Sequence, residues 1–309
     1  MPASSHIAVR IDLEQIRRNA RAIKELVKVS VLAVIKADAY GVGAARVAAA
    51  IANIVDGFCV FSLAEAATAE LWQRTGKPCM VLGPDDGANA DDYLAQHARP
   101  AVWDVGRAAR LRRALPILSV DTGMQRFACP ASQLDAVLAA GECDEAFTHA
   151  TDPDRARRLL ELMRGRGLRL HAAGSSLLHE PSARLDAVRP GLALYCGAVR
   201  VSTPLIETRK SDGPVGYGRF AATYHGVIRA GYFNGLRPGP CLINGRRSRI
   251  VEVGMQTSFV KTCSDDNICD EVVLLGDSLA EAEIAGEWKT SPHEVLTRFA
   301  GAGNREYVG

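Results

Sequence analysis

Two successive patterns of apolar and polar positions divide the chain. Over the first two hundred residues, short apolar runs such as 31–35 alternate with stretches such as 12–27, where apolar residues recur every three or four positions. The first kind of run predicts a buried strand and the second predicts an amphipathic helix. We predict eight barrel-type strands, at 29–36, 57–62, 78–82, 99–103, 116–121, 145–149, 169–173 and 187–191, with helices at 44–53, 64–74, 105–113, 131–140 and 153–166.

Alternating strands and helices favour a parallel sheet, and eight strands suggest a (β/α)8 barrel. An open, doubly wound sheet is the alternative. No G-x-G-x-x-G follows an early strand, which disfavours its dinucleotide-binding form. We expect the barrel to span residues 1–203, and we expect a short strand at 7–11 that can join the C-terminal domain.

The second pattern begins near residue 200, where helical periodicity fades until residue 291. Short strand-like runs follow one another, separated by turn signals such as Asn244-Gly245. This pattern predicts an antiparallel β domain over residues 204–309, closed by one short helix at 291–298. The predicted fold class is therefore α/β, a TIM-like barrel followed by an antiparallel β domain.

Composition narrows the class of protein. The chain has 309 residues, 48% of them hydrophobic, and a net charge of +2, which gives no reason to expect nucleic acid or a membrane surface as a partner. No apolar run approaches the roughly 20 residues of a membrane span. Eight scattered cysteines form no C-x-x-C pair, so we expect no metal site, and without an export signal they favour a reducing cytoplasm.

Polar residues follow several of the predicted strands. Catalytic residues of a barrel lie at the carboxyl ends of its strands, and phosphate binds after strands seven and eight. The candidates at these positions are Lys36, Arg126, His149, Ser175 and Arg189. Each also has a purely structural explanation, such as a solvated loop arginine or a turn serine. Arg189 is the least easily explained in this way, because its neighbours are apolar and a buried arginine needs a partner.

The segment 33–43, Ala-Val-Ile-Lys-Ala-Asp-Ala-Tyr-Gly-Val-Gly, closely resembles the lysine motif of the alanine racemase family. Four further segments resemble motifs of that family in the same order, at 120–126, 148–150, 171–175 and 188–195. The resemblance implies that Lys36 binds the cofactor pyridoxal 5′-phosphate (PLP) covalently and that Tyr40 contacts its phosphate.

The resemblance also assigns roles to the other candidates. It implies that Arg126 helps hold the cofactor and the substrate carboxylate, and that His149 packs beside the pyridine ring. Arg189 faces the pyridine nitrogen, and because an arginine can only donate hydrogen bonds, that nitrogen should stay unprotonated. The phosphate is bound with the help of Ser175, Gly191 and Leu192.

Two segments of the second domain complete the resemblance. Residues 230–235, Ala-Gly-Tyr-Phe-Asn-Gly, are similar to the segment that carries the family's second base, which the partner subunit supplies. This implies that Tyr232 is that base, opposite Lys36, and that the enzyme is a homodimer with shared active sites. Met255 lies where the family has its substrate-carboxylate loop. The implied activity is two-base racemisation of a small amino acid, most simply alanine.

The chain departs from the family pattern at several places. Ser119 stands where many members carry a carbamylated lysine, Gly174 and Asn234 replace an asparagine and an acid, Gln256 replaces an acid, and Gly301 aligns with a tyrosine. These changes leave two alternatives open. One is a racemase for serine or for a larger or cationic amino acid, and the other is a PLP-binding paralogue with little turnover.

Overall fold

The computed structural model describes residues 6–309. The chain forms two compact units. One, the barrel unit, comprises Ile16–Ala39 and Gly43–Leu194. The other, the sheet unit, comprises residues 6–15, Tyr40–Val42 and Tyr195–Gly309.

The first strand, β1 (Ala8–Asp12), belongs to the sheet unit. Eight parallel strands then close a barrel in chain order, with the last strand pairing with the first. They are β2 (Ser30–Val34), β3 (Gly57–Val60), β4 (Cys79–Val81), β5 (Ala98–Val102), β6 (Ile117–Ser119), β7 (Glu145–Ala150), β8 (Arg169–Ala173) and β9 (Ala187–Val188). The prediction of a (β/α)8 barrel is confirmed, and the open sheet is excluded.

Helices separate the barrel strands, and polar caps begin many of them. Asp12 accepts the N–H of Gln15 at 2.8 Å before the first helix, and Ser62, Asp104 and Asp152 accept backbone N–H groups in the same way. The helices of this region are Leu13–Val27, Ala44–Ile51, Leu63–Thr68, Leu71–Thr75, Ala90–Ala95, Val105–Leu111, Leu134–Gly141, Pro153–Met163, Pro181–Arg184 and Leu192–Tyr195.

The sheet unit is built on one eight-stranded sheet in the order β11-β14-β13-β12-β15-β10-β1-β16. Neighbouring strands are antiparallel except β1 and β16, which run parallel. The strands are β10 (Val199–Lys210), β11 (Tyr224–Ile228), β12 (Gly239–Ile243), β13 (Arg246–Val253), β14 (Ser258–Lys261), β15 (Glu271–Leu275) and β16 (Asn304–Val308). The expected antiparallel β domain is therefore confirmed.

Three details of the prediction were wrong. A helix, Glu281–Trp288, lies in the region where helical periodicity was expected to be absent; it is short, contains Gly286, and so carries a weak pattern. The helix expected at 64–74 is broken at Glu70, whose φ of 50° is left-handed. The strand-like run at 220–224 in the second domain also predicts a strand, which begins only at Tyr224. The closing helix spans Pro292–Ala300.

None of the helices in residues 6–309 combines the length and the apolar character needed to cross a membrane.

Candidate active site

Lys36 stands two residues after β2, at the start of a left-handed turn. Four consecutive residues that are not glycine, Ala37 to Tyr40, have φ between 53° and 58°. A left-handed turn of this kind costs about 1–2 kcal/mol per residue, because Cβ approaches the following carbonyl oxygen. Backbone strain of this kind persists only where the surrounding structure holds it, and it is concentrated at functional sites.

Two carboxylates hold this turn. Glu65 accepts the N–H of Ala37 at 3.0 Å and the N–H of Phe61 at 2.7 Å, and it thereby ties the turn to the end of β3. Asp38 accepts the N–H of Ala44 at 2.8 Å with its side chain. Hydrogen bonds at the start of the turn and just after its end thus hold a conformation that the local sequence does not favour, and they fix the position of Lys36.

The pKa of Lys36 is below the ordinary lysine value. Burial is the largest cause and the positive charge of Arg126 is the second, while Glu65 acts in the opposite direction. A lysine with a lowered pKa is more often neutral near pH 7, which is the form that acts as a nucleophile or a base. Arg126 itself is exposed and forms no hydrogen bond or ion pair within residues 6–309, so its guanidinium is available to an anionic ligand.

Arg189 follows β9 and is almost fully buried. Its Nη1 donates to the carbonyl oxygen of His171 at 3.1 Å and contacts Nδ1 of the same residue, and its Nη2 donates to the carbonyl oxygens of Thr148 at 2.5 Å and Ala172 at 3.4 Å. Nε is the one guanidinium nitrogen without a partner in the described chain. Burial lowers the pKa of Arg189 to about 10, so the group stays charged at neutral pH and can offer Nε–H to an acceptor.

Further polar groups surround Arg189 inside the barrel. His171 is fully buried and stacks on Phe147, with ring centroids 5.5 Å apart, and the Arg189 guanidinium lies 4.8 Å from the centre of the Phe147 ring. Glu145, also buried, has its Oε1 2.9 Å from His171 Nε2. His171 and Glu145 were not among the candidates chosen from sequence. The available signal was a buried-strand position occupied by an ionisable residue, at the start of β7 for Glu145 and in the middle of β8 for His171.

Ser175 connects the loops that follow β8 and β9. Its Oγ accepts the N–H of Gly191 at 2.9 Å and the N–H of Ala193 at 3.1 Å. These loops follow the seventh and eighth strands of the barrel, where barrels commonly bind phosphate. The structure therefore brings Ser175 together with the segment that contains Gly191 and Leu192, and phosphate binding there stays a prediction.

His149 lies in β7 near its carboxyl end, with its side chain at the protein surface. Desolvation and nearby cations, chiefly Arg189, lower the pKa of His149 to about 4. The imidazole is therefore neutral at physiological pH and can pack against a flat ring without adding a further positive charge. The barrel unit thus places Lys36, Arg126, His149, Ser175 and Arg189 after or near the carboxyl ends of five strands.

Tyr232 and Met255 lie on two neighbouring loops of the sheet unit. The backbone N–H of Tyr232 donates to the carbonyl oxygen of Gly254 at 2.9 Å, and that of Phe233 donates to Met255 at 3.0 Å. The loops approach so closely that a Cβ on Gly231 would lie 2.3 Å from the carbonyl oxygen of Met255. Tyr232, Phe233 and Met255 are 57%, 75% and 62% exposed, and together they form an exposed apolar patch.

Asn234 explains one departure from the family pattern. Its Oδ1 accepts the N–H of Gly231 at 3.2 Å, and its Nδ2 donates to the carbonyl oxygen of Ala302 at 3.2 Å. A carboxylate could make the first contact but not the second. The amide therefore ties the Tyr232 loop to the C-terminal segment.

Tyr40 groups with the sheet unit. Its ring lies 5.2 Å from that of Tyr195 and 5.9 Å from that of His293. Tyr307 donates its hydroxyl to the carbonyl oxygen of Val42 at 2.9 Å, and a Cβ on Gly41 would lie 3.1 Å from Cβ of Ala300. The segment 40–42 is therefore packed tightly against the last helix of the chain and the residues after it.

The barrel unit thus offers an amine with a lowered pKa, on Lys36, and an unpaired guanidinium, on Arg126, that can bind a carboxylate. It also offers the Nε–H of Arg189 as a donor to an aromatic nitrogen, and two loops, after β8 and β9, that are suited to phosphate. Comparison with known proteins agrees with this set. Residues 11–199 match the alanine racemase N-terminal domain, and residues 198–307 match the alanine racemase C-terminal domain.

Individual relatives are similar over nearly the whole chain. An alanine racemase of Sorangium cellulosum is 30% identical over 365 aligned positions, covering 94% of this chain and 96% of the relative. The biosynthetic alanine racemase of Escherichia coli is 30% identical, covering 97% and 98%. Because 365 positions exceed the 309 residues of this chain, segments present in the Sorangium protein have no counterpart here.

Solved structures show the same fold. The biosynthetic alanine racemase of Pseudomonas aeruginosa has a TM-score of 0.87 at 24% identity, covering 98% of this chain and 99% of that chain. The alanine racemase of Bartonella henselae with covalently bound pyridoxal phosphate has a TM-score of 0.86 at 23% identity, covering 99% and 100%. With both domain families matched along almost its entire length, the chain belongs to the alanine racemase family of PLP-dependent isomerases.

Proposed function

We propose that this protein interconverts L- and D-alanine with PLP, and that Lys36 and Tyr232 are its two bases. One observation carries the proposal: in a chain of this family, Lys36 has a lowered pKa and stands at a strained turn, beside the unpaired cation Arg126. A lysine used only for solubility would need neither the strain nor the burial.

The barrel residues fit PLP at each of its functional groups. The Nε–H of Arg189 has no acceptor in the described chain and is suited to an unprotonated pyridine nitrogen. Ser175, Gly191 and Leu192 join the two loops that would bind the phosphate. Lys36 would hold the aldehyde carbon. Tyr40 is assigned to the phosphate by its place in the family motif.

The chemistry divides between cofactor and protein. When bound, PLP withdraws electrons from the substrate Cα and so acidifies the Cα–H bond. Arg126 binds and orients the substrate carboxylate. Met255, on the loop beside Tyr232, is assigned to the same carboxylate by its place in the family motif. Lys36 Nζ holds or returns the Cα proton on one face, and the Tyr232 hydroxyl does so on the opposite face. Oriented bases of this kind typically contribute about 10²–10⁴-fold each.

A homodimer is part of this proposal, and the surface of the sheet unit supports it. The exposed patch of Tyr232, Phe233 and Met255 is apolar where a monomer would leave it in water. A second copy related by a two-fold axis is the simplest partner for such a patch. In that arrangement each Tyr232 serves the barrel of the other copy.

The free cysteines are consistent with a reducing compartment, and we place the enzyme in the cytoplasm.

The test is hydrogen exchange at Cα in heavy water, followed by NMR, with the PLP-loaded protein and a panel of L-amino acids. We expect L-alanine to lose its Cα proton signal and to become D-alanine. Lys36→Ala and Tyr232→Phe should abolish racemisation, whereas Tyr224→Phe, which removes a hydroxyl on β11 of the same unit, should not. Exchange confined to other amino acids would move the substrate to serine or to a larger or cationic side chain. Exchange with no amino acid, despite PLP bound at Lys36, would leave a PLP-binding protein with little turnover.

A further inference from the structure

Three ionisable side chains form a file through the interior of the barrel. Arg189 follows the last strand, His171 lies in the middle of β8, and Glu145 is the first residue of β7. All three are almost fully buried. Arg189 contacts Nδ1 of His171, and His171 Nε2 lies 2.9 Å from Oε1 of Glu145. This row of three side chains, called the Arg189–His171–Glu145 file, therefore runs from the carboxyl ends of the strands towards their amino ends.

The donors and acceptors along this file allow only one arrangement of protons. Arginine carries N–H donors and no acceptor, so His171 Nδ1 must accept from Arg189. A neutral imidazole then has its proton on Nε2, the nitrogen that lies 2.9 Å from Oε1 of the Glu145 carboxylate. The N–H is not aligned with that oxygen for a hydrogen bond, so the negative charge of Glu145 acts on this proton through its proximity. The imidazole is neutral at pH 7, because burial and the charge of Arg189 lower the pKa of His171 to about 4.

Glu145 is the group that selects this tautomer. With a carboxylate at Nε2, a proton on that nitrogen is stabilised and a lone pair there is repelled. Without it, the proton can move to Nδ1, where it would face the N–H of Arg189, donor against donor. The guanidinium would then have to turn, and Nε, the one nitrogen that it leaves for a ligand, would turn with it.

We propose that Glu145 is a positioning residue for Arg189, acting through the tautomer of His171. The kinetic consequence of this inference rests on the proposed function, but the tautomer does not. Glu145 also accepts from Arg99 at 2.9 Å and from Arg169 at 3.4 Å. A purely structural role would lie in those two contacts, so the test must separate them from the contact with His171.

The test compares Glu145→Gln with Arg169→Met, which removes a partner of Glu145 but leaves the contact with His171. The first measurement uses the full-length protein without PLP, labelled with ¹⁵N-histidine, with the His171 signal assigned by its loss in His171→Asn. Long-range ¹H–¹⁵N spectra should show a single Nε2–H tautomer in the wild type and in Arg169→Met. In Glu145→Gln the tautomer should be mixed or reversed.

The second measurement is racemisation by the PLP-loaded proteins. Glu145→Gln should lower kcat by about 10- to 100-fold, the scale on which misplaced groups act, while the KM for alanine and the activity of Arg169→Met change little. In a His171→Asn background, Glu145→Gln should cause no further loss. If Glu145→Gln does not fold, Glu145→Asp withdraws the carboxylate by one methylene and should give the same change in tautomer.

An unchanged His171 tautomer in a folded Glu145 variant would overturn the proposal, as would equal losses of activity in Glu145→Gln and Arg169→Met. Failure of the proposed function would look different. The wild type would then racemise no amino acid, while the tautomer would still respond to Glu145. The spectra of the PLP-free protein therefore distinguish the two failures.

Discussion

The carboxylate of Glu65 accepts the backbone N–H of Ala37 at 3.0 Å, directly after the candidate cofactor lysine. Its other oxygen accepts the N–H of Phe61 at 2.7 Å. One side chain thus joins the ends of the first two barrel strands and holds the left-handed turn that Lys36 begins. Ser62 and Glu65 also have the spacing of a helix capping box, S-x-x-E, but here the glutamate serves the turn instead.

Replacing Glu65 with glutamine should loosen this turn. Glutamine has one acceptor oxygen for two N–H donors, so one donor would face an amide NH₂. Hydrogen bonds to charged groups contribute about 1.5–3 kcal/mol, and we expect a loss of the free energy of unfolding in that range, measured by urea titration without PLP. Glu70→Gln, on the next helix, breaks only an exposed ion pair with Arg74 and should change stability by less than about 1 kcal/mol. Equal losses of stability in the two variants would argue against a role of Glu65 in holding the turn.

Ser175→Ala should weaken PLP binding. The variant leaves the N–H groups of Gly191 and Ala193 without their acceptor and frees the loop after β9, where we place the phosphate. Loss of one such contact corresponds to about 1–2 kcal/mol, or about a 5- to 30-fold rise in Kd, which quenching of intrinsic fluorescence by PLP can measure. Ser176→Ala alters an exposed neighbour and should leave Kd unchanged. A Kd that does not respond to Ser175→Ala would remove that residue from the phosphate site.

Stability should fall in mild acid because of His171. Its pKa is lowered to about 4 in the folded protein, against about 6.5 in an unfolded chain. Between these values the unfolded state binds the proton and the folded state does not, so the free energy of unfolding decreases as the pH falls from about 7 to about 4. The contribution of His171 reaches about 3 kcal/mol. Glu145 adds to the loss at lower pH, because the contact with His171 and nearby arginines outweigh burial and lower the pKa of its carboxyl.

Urea unfolding of the PLP-free protein at several pH values measures this dependence. His171→Asn removes the titrating group, so its free energy of unfolding should change less between pH 7 and pH 5 than that of the wild type. The quantity to compare is the slope of the free energy of unfolding against pH, since His171→Asn is expected to be less stable at every pH. Identical slopes in the two proteins would mean that the pKa of His171 does not change on unfolding.

Phe233→Asp should dissociate the proposed dimer. A charge in the centre of an apolar interface must be desolvated without a partner, which is costly. Light scattering coupled to size-exclusion chromatography should therefore give a mass near one chain for this variant and near two chains for the wild type. Ile268→Asp, at another exposed apolar position of the sheet unit, should remain dimeric. A wild-type protein that is monomeric at micromolar concentration would contradict the shared site.

The barrel could be predicted from sequence because its strands are buried on both faces and are therefore continuous apolar runs. The observed β2 and β8, Ser30–Val34 and Arg169–Ala173, fall within the predicted ranges. The long strand β10, Val199–Lys210, was not predicted, since its second half faces water on several positions and includes charged residues. Its pairing with three other strands is a tertiary effect that no local pattern records.

The sequence proposes site residues by their type and their place after strands, but it does not record the backbone geometry around them. Lys36, Arg126 and Arg189 were chosen because they follow predicted strands and lie in segments that resemble motifs of the family. The left-handed turn after Lys36 could not be predicted, because Ala-Asp-Ala-Tyr has no tendency towards positive φ and Glu65, which holds it, is 28 residues away. Glu145 and His171 were not chosen for a related reason: the residues that they contact lie on other strands, far away in the sequence.

In most barrels of this type, one end of the strands determines stability and the other carries the chemistry, so the two can change independently. The file from Arg189 to Glu145 joins these ends in the present chain. Arg99 and Arg169, near the amino ends of β5 and β8, are linked by it to the group proposed to face the cofactor. Grafting these catalytic loops onto another barrel would therefore require transferring His171 and Glu145 as well, and substitutions of Glu145 would be selected against through their effect on activity.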